Sequence, residues 1–140
     1  MIEVVNQQRY RRIDREYWAE FAQKALNLVG NSRKSVTIAF VSNHRMRALN
    51  KSFRGLNKTT DVLSFPAEAD AFTESEDNLG DVAISVEQAE NQALANELKF
   101  EQEIAQLILH GLLHLCGYDH ETDNGEMNRL ERRLRKKLGI

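Results

Sequence analysis

The chain has 140 residues, with 19 Lys+Arg against 21 Asp+Glu and a formal net charge of −2. A composition that is 41% hydrophobic and 29% charged supports a packed core under a wetted surface and excludes a wholly disordered chain. No stretch approaches the roughly 18 apolar residues of a membrane-spanning helix, and a single cysteine, Cys116, excludes an internal disulfide.

The length predicts one domain over residues 1–140. Ile2 to Val5 is β-branched and predicts a first strand. Asp14 can cap a helix running to about Val29. Tyr17, Trp18, Phe21, Ala22, Ala25, Leu28 and Val29 follow helical spacing in it, and Gly30 ends it. Val36 to Val41 predicts a buried second strand. Ser42 or Asn43 then caps a short helix with Met46, Leu49 and Phe53 on its inner stripe. Val62 to Phe65 reads as a third strand, stopped by Pro66, and the acidic, non-periodic residues 67–78 read as a loop. Asp81 to Ser85 predicts a fourth strand, and Ser85 can cap a helix over about Val86 to Asn96. A long helix from about Phe100 to Cys116 is apolar nearly all round, the mark of a core helix, and Gly117 ends it. A last helix over about Asp123 to Leu138 carries Met127, Leu130, Leu134 and Leu138 on one face. This order predicts an α+β fold: a small mixed four-stranded sheet packed with about five helices.

The charge is segregated. Residues 1–60 sum to +8, residues 61–126 to −15 and residues 127–140 to +5. One surface can therefore attract polyanions while another repels them. The first ten residues show no apolar run behind a basic end, and with the lone thiol this predicts a cytoplasmic protein.

Three histidines crowd into His110-Gly111-Leu112-Leu113-His114-Leu115-Cys116-Gly117-Tyr118-Asp119-His120. His110 and His114 project from one helix face a turn apart, so both imidazoles can reach one ion. Gly117 can adopt positive φ and turn the chain back, which brings His120 towards them. Burying three unpaired imidazoles would be costly, and a shared metal removes that cost. The spacing thus predicts a metal site at the end of the buried helix. Three nitrogens leave a fourth tetrahedral position for water, the pattern of a catalytic zinc. Nickel, iron or copper can use the same ligands. Asp119 can orient a histidine or simply hold the turn. Cys116 points away from the 110/114 face, as a small buried hydrophobe does, and His44 is placed on the surface.

Zinc proteases carry their glutamate base directly after the first histidine, where this chain has Gly111. Asp61, Asp81 and Asp119 are the carboxylates that can substitute. Gly111 either admits a closely packed segment or leaves room for a bulky substrate. Arg47, Lys51 and Arg54 recur at i, i+4 and i+7, with Lys58 following, and make a basic stripe suited to phosphate. Arg129, Arg132, Arg133, Arg135, Lys136 and Lys137 form a second basic face, which reads as a solvated surface.

The histidine motif, together with Thr60-Asp61-Val62-Leu63-Ser64-Phe65-Pro66, Leu79-Gly80-Asp81-Val82-Ala83-Ile84-Ser85 and the Leu49-Asn50-Lys51 to Arg54-Gly55 stretch, resembles the YbeY family of bacterial endoribonucleases. The resemblance implies a zinc site of one ion at His110, His114 and His120, with Arg54 as a functional arginine and His114 acting beside it. It also implies single-stranded RNA as substrate, a role in ribosomal RNA 3′-end maturation, and the ribosome or small-subunit assembly proteins as partners. Two rivals stay open: a zinc-dependent peptidase-like hydrolase, and a ribosome-assembly factor in which zinc only staples the fold.

Overall fold

The computed structural model describes residues 1–67 and 77–140. Its elements are β1 (Ile2–Asn6), α1 (Arg15–Val29), β2 (Ser35–Val41), α2 (Asn43–Arg54), β3 (Val62–Pro66), β4 (Asn78–Ser85), α3 (Val86–Ala95), α4 (Phe100–Leu115) and α5 (Glu126–Leu138). The strands form one sheet in the order β1-β2-β4-β3. β1, β2 and β4 run parallel, and β3 pairs antiparallel with β4. The predicted architecture, a mixed four-stranded sheet with five helices, is the one observed.

The helix starts follow from local chemistry. Asp14 accepts a hydrogen bond from the Tyr17 N–H at 3.1 Å, and Ser42 accepts one from Arg45 N–H at 3.2 Å. The Ser85 hydroxyl accepts from Gln88 N–H at 3.3 Å and donates to Asn43 Oδ1 at 2.6 Å, which ties the start of α3 to the start of α2. Each side chain satisfies a backbone donor that the helix leaves orphaned.

Strand alternation divides the core in two. Val36, Ile38 and Phe40 of β2 and Val82 and Ile84 of β4 face the main core, with Trp18 and Leu26 of α1 and Ile104, Ile108 and Leu112 of α4. The other face of the sheet is covered by α2, where Met46 packs with Val41, Leu63 and Ala83. α4 is buried along almost its whole length, as its apolar circumference demands.

Three expectations need correction. Phe53 is not on the inner stripe of α2; it is 67% exposed and meets Phe65 edge-to-face at 4.9 Å. The buried side of α2 runs through Met46 and Asn50 instead. Asn50 is needed inside because its Nδ2 donates to the Lys58 carbonyl at 2.9 Å and ties down the chain leading into β3. The loop read over 67–78 falls mainly on residues 68–76, outside the described residues, and Asn78 already belongs to β4. α5 begins at Glu126, after a turn in which Asp123 accepts from Gly125 N–H at 2.8 Å and Met127 N–H at 2.9 Å.

Candidate metal centre

Glu103, Leu107, His110 and His114 recur at i, i+4, i+7 and i+11 along α4 and line one wall of an open cleft. Arg54, Thr60, Asp61, Val62 and Ser64 also line the cleft. α5 contributes Glu131 and Arg135.

At the end of α4 the chain reverses through Gly117, whose φ of +96° is left-handed. Tyr118 N–H then bonds back to the Leu113 carbonyl at 3.1 Å, and the Tyr118 backbone hydrogen-bonds His114. Asp119 accepts from Glu121 N–H at 3.0 Å and so shapes the turn that carries His120. The imidazole ring of His120 lies 5.7 Å from those of both His110 and His114.

The three imidazoles converge. His110 Nε2 and His114 Nε2 are 3.1 Å apart, and one ring nitrogen from each histidine falls within 4.8 Å of the others. Tetrahedral zinc with Zn–N distances of about 2.0–2.1 Å requires nitrogens about 3.3–3.4 Å apart. The His110–His114 spacing of 3.1 Å lies a little under that requirement, so small side-chain adjustments would seat an ion, and the all-imidazole donor set suits zinc. Burial, followed by the positive charge of His110 and His120, pushes the His114 pKa down, so the neutral, ligating form is favoured.

Glu131, 6% exposed, sets His110 from behind. Its carboxylate oxygens lie 3.3 and 3.4 Å from His110 Nδ1, and Arg135 Nη2 lies 3.1 Å from Oε1. Burial alone would raise its pKa; the hydrogen bond and charge of His110, then Arg135, outweigh that and hold it below the ordinary carboxylate value.

Gly111 is explained by packing. A Cβ there would meet Val82 Cγ1 at 2.7 Å and Cγ2 at 3.1 Å. Ser64 Oγ also donates to the Gly111 carbonyl at 3.2 Å, so α4 lies directly on β3 and β4. Close approach to a packed segment, not room for a substrate, is what the glycine provides.

Among the other sequence candidates, Asp61 and Asp119 line the cleft, whereas Asp81 faces the opposite side of the sheet from its neighbour Val82. Of the basic stripe only Arg54 reaches the cleft. Lys51 and Lys58 are exposed, and Arg47, also exposed, donates to Asn57 Oδ1 at 2.9 Å. Arg54 makes no hydrogen bond or ion pair among the described residues. His44 is exposed, as expected. Cys116 stands outside the histidine cluster, half-buried, with Asn31 Nδ2 donating to Sγ at 3.1 Å.

Three cleft residues escape the sequence reading: Glu131, Arg135 and Glu103. Glu131 is the one acid among six cations in residues 127–140, and it sits on the buried side of α5 with Met127 and Leu134. An acid at an apolar stripe position was the available signal. Glu103 is 5% exposed, and burial, then the charge of Asp61, pushes its pKa up from 4.5. Its carboxylate accepts no hydrogen bond among the described residues. A raised folded-state pKa gives stability that is present below 4.5 and lost as pH rises through the folded value. Glu103→Gln should therefore stabilise the fold by about 1 kcal/mol at pH 7 and by little at pH 4. Urea midpoints at the two pH values check this; an equal shift at both would refute it.

A protein-family comparison matches residues 3–139 to the model described as Endoribonuclease YbeY. The chain belongs to the YbeY endoribonuclease family. It is 42% identical over 123 residues to the YbeY endoribonuclease of Nautilia profundicola, covering 86% of each chain. Against that of Clostridioides difficile it is 41% identical over 110 residues, covering 75% of this chain and 72% of the relative. The same fold is seen in the solution structure of TM1509 from Thermotoga maritima. That likeness has a TM-score of 0.65 at 26% identity and covers 99% of this chain and 89% of that one.

Proposed function

We propose that this chain is a zinc-dependent endoribonuclease that cuts single-stranded RNA during 3′-end maturation of ribosomal RNA. The observation that carries the reading is the convergence of His110, His114 and His120 in the same cleft as Arg54. His110, His114 and His120 would hold one zinc ion through ring nitrogens. When bound, the ion supplies Lewis-acid polarisation of phosphoryl oxygen and a source of attacking water at neutral pH.

The chain's own residues do the rest. Arg54, with no competing partner among the described residues, is free to fork onto phosphate oxygens and to stabilise the charge that grows on them in the transition state. His114, kept neutral by burial, remains available as a ligand at pH 7. Asp61 Oδ1 is occupied by Val62 N–H at 2.8 Å and Thr60 Oγ1 at 3.3 Å, and Asp119 Oδ1 by Glu121 N–H. Each keeps its Oδ2 without a hydrogen bond among the described residues, but neither stands directly after the first histidine as a protease base does, and the rate therefore depends strongly on how RNA is positioned. An assembling small ribosomal subunit is the partner suited to do that, in the cytoplasm. No helix among the described residues is long and apolar enough to cross a membrane.

The peptidase rival is disfavoured by the contact between Gly111 and Val82, which leaves no space for a glutamate base at that position. The structural-zinc rival is disfavoured by the exposure of His120, since a stapling ion is ordinarily enclosed.

The test compares wild type with Arg54→Ala on a single-stranded RNA and on its fully paired duplex. The variant should retain its zinc and its fold, and lose about 10²–10³-fold in cleavage rate. Wild type should leave the duplex intact. Equal cleavage by both proteins, or by wild type on both substrates, would defeat the reading.

A further inference from the structure

We infer that Glu131 is a positioning residue for His110, with Arg135 as its anchor, so that α5 governs how well the cleft holds its metal. The inference rests on reading the three histidines as a zinc site.

Three observations lead to it. Glu131 occupies a stripe position between Met127 and Leu134, both buried in the main core. A leucine there would satisfy packing with no charge to desolvate, and buried ion pairs are commonly replaceable by apolar residues without loss of stability. Packing therefore does not account for an acid at this place. Both of its carboxylate oxygens address a single atom, His110 Nδ1, at 3.3 and 3.4 Å. Arg135, one helical turn further on, reaches Oε1 at 3.1 Å and holds the carboxylate in line.

The chemical consequence concerns the tautomer. A neutral imidazole has one N–H and one lone pair, and a carboxylate at Nδ1 fixes the proton there. The lone pair is then on Nε2, the atom that faces His114 Nε2 at 3.1 Å. Without Glu131, His110 is divided between two tautomers and is free to turn about its side-chain bonds. Each metal-binding event must then select the productive state. Loss of such a partner typically lowers metal affinity about 10–100-fold. His114 has a backbone partner in Tyr118, and His110 is the histidine of the cluster with a side-chain carboxylate in hydrogen-bond range among the described residues.

The experiment measures zinc affinity by competition with a chromophoric chelator for wild type, Glu131→Leu, Glu131→Gln and Arg135→Ala. Glu131→Leu refills the stripe and keeps α5 packed, which thermal melts of the zinc-free proteins verify. Zinc affinity should fall about 10–100-fold in Glu131→Leu. Glu131→Gln, whose amide oxygen still accepts the Nδ1 proton, should stay within a few-fold of wild type. Arg135→Ala should fall between the two. ¹⁵N NMR of the zinc-free proteins should show His110 as the Nδ1–H tautomer in wild type and a mixture in Glu131→Leu. The inference is overturned if Glu131→Leu binds zinc as wild type does, or if Glu131→Gln is as weak as Glu131→Leu. Wild type that takes up no zinc would instead sink the reading of the histidine cluster, so the two failures are distinguishable.

Discussion

His114→Ala should release zinc and reduce RNA cleavage by about 10³-fold, because the several kcal/mol that a bound ion contributes to the transition state disappear with it. His114 is the middle member of the cluster, 3.1 Å from His110 Nε2 and 5.7 Å in ring separation from His120. Two remaining imidazoles do not make a stable site. The fold should persist, since alanine at the end of α4 removes a partly desolvated ring and opens no hole in the apolar core. Zinc content, circular dichroism and cleavage measured on one preparation decide the matter. A melted protein would favour the structural-zinc rival, and undiminished cleavage would expose a contaminant.

The same substitution has a pH signature in the zinc-free protein. The folded-state pKa of His114 lies below 6.5, chiefly through burial. As pH falls below 6.5 the unfolded chain takes up this proton first, so stability declines towards the folded value and is complete above 6.5. His114→Ala should lack that component, giving a flatter stability profile between pH 7 and 5 than wild type.

A single added methyl group at Gly111 should cost stability in the core. Gly111→Ala places a Cβ 2.7 Å from Val82 Cγ1, inside the core and against a branched side chain with no slack. Overpacking of this kind costs about 1–3 kcal/mol. α4 can relieve it only by lifting from β4, which also strains the Ser64–Gly111 hydrogen bond of 3.2 Å. Val82→Ala alone should destabilise by opening a cavity, yet the double variant should be less damaged than the sum, because the second truncation makes room for the first addition. Strict additivity of the two in urea unfolding would show that the contact is not the source of the loss. Gly111→Glu should be far worse than Gly111→Ala, since it directs a carboxylate into the same apolar contact.

The local signals in the sequence were strong where one physical rule dominated. Asp14, Ser42 and Ser85 are caps whose oxygen has one obvious use, and α4 is apolar on so many sides that only burial suits it. The three histidines follow from helix periodicity and a glycine turn, both properties of a short stretch. Phe53 misled because a hydrophobic stripe of two or three residues can be drawn on either side of a short helix. Tertiary demand selected Asn50 for the inside, where it holds the Lys58 carbonyl. Glu131 was hidden for another reason. Its importance depends on α5 packing beside α4, a contact between positions 21 residues apart. Within its own segment it is one acid among cations, and Arg135 looked like any other member of a solvated basic face.

β3 closes one side of the sheet, and its outward-facing backbone is nearly devoid of donors. The pairing of Ser85 N–H with the Asp61 carbonyl and of Ala67 N–H with the Leu79 carbonyl sets the alternation. Leu63 and Phe65 turn their amides towards β4, and Val62, Ser64 and Pro66 turn away from it. Asp61 takes the Val62 N–H, and proline has none. Only Ser64 can offer an amide to an incoming strand. This border of the sheet is therefore poorly equipped to lengthen itself with a second chain, which guards against edge-to-edge aggregation. It is equally ill suited to grip an extended peptide by main-chain pairing. A polymer whose backbone presents phosphates instead of amides needs no such ladder.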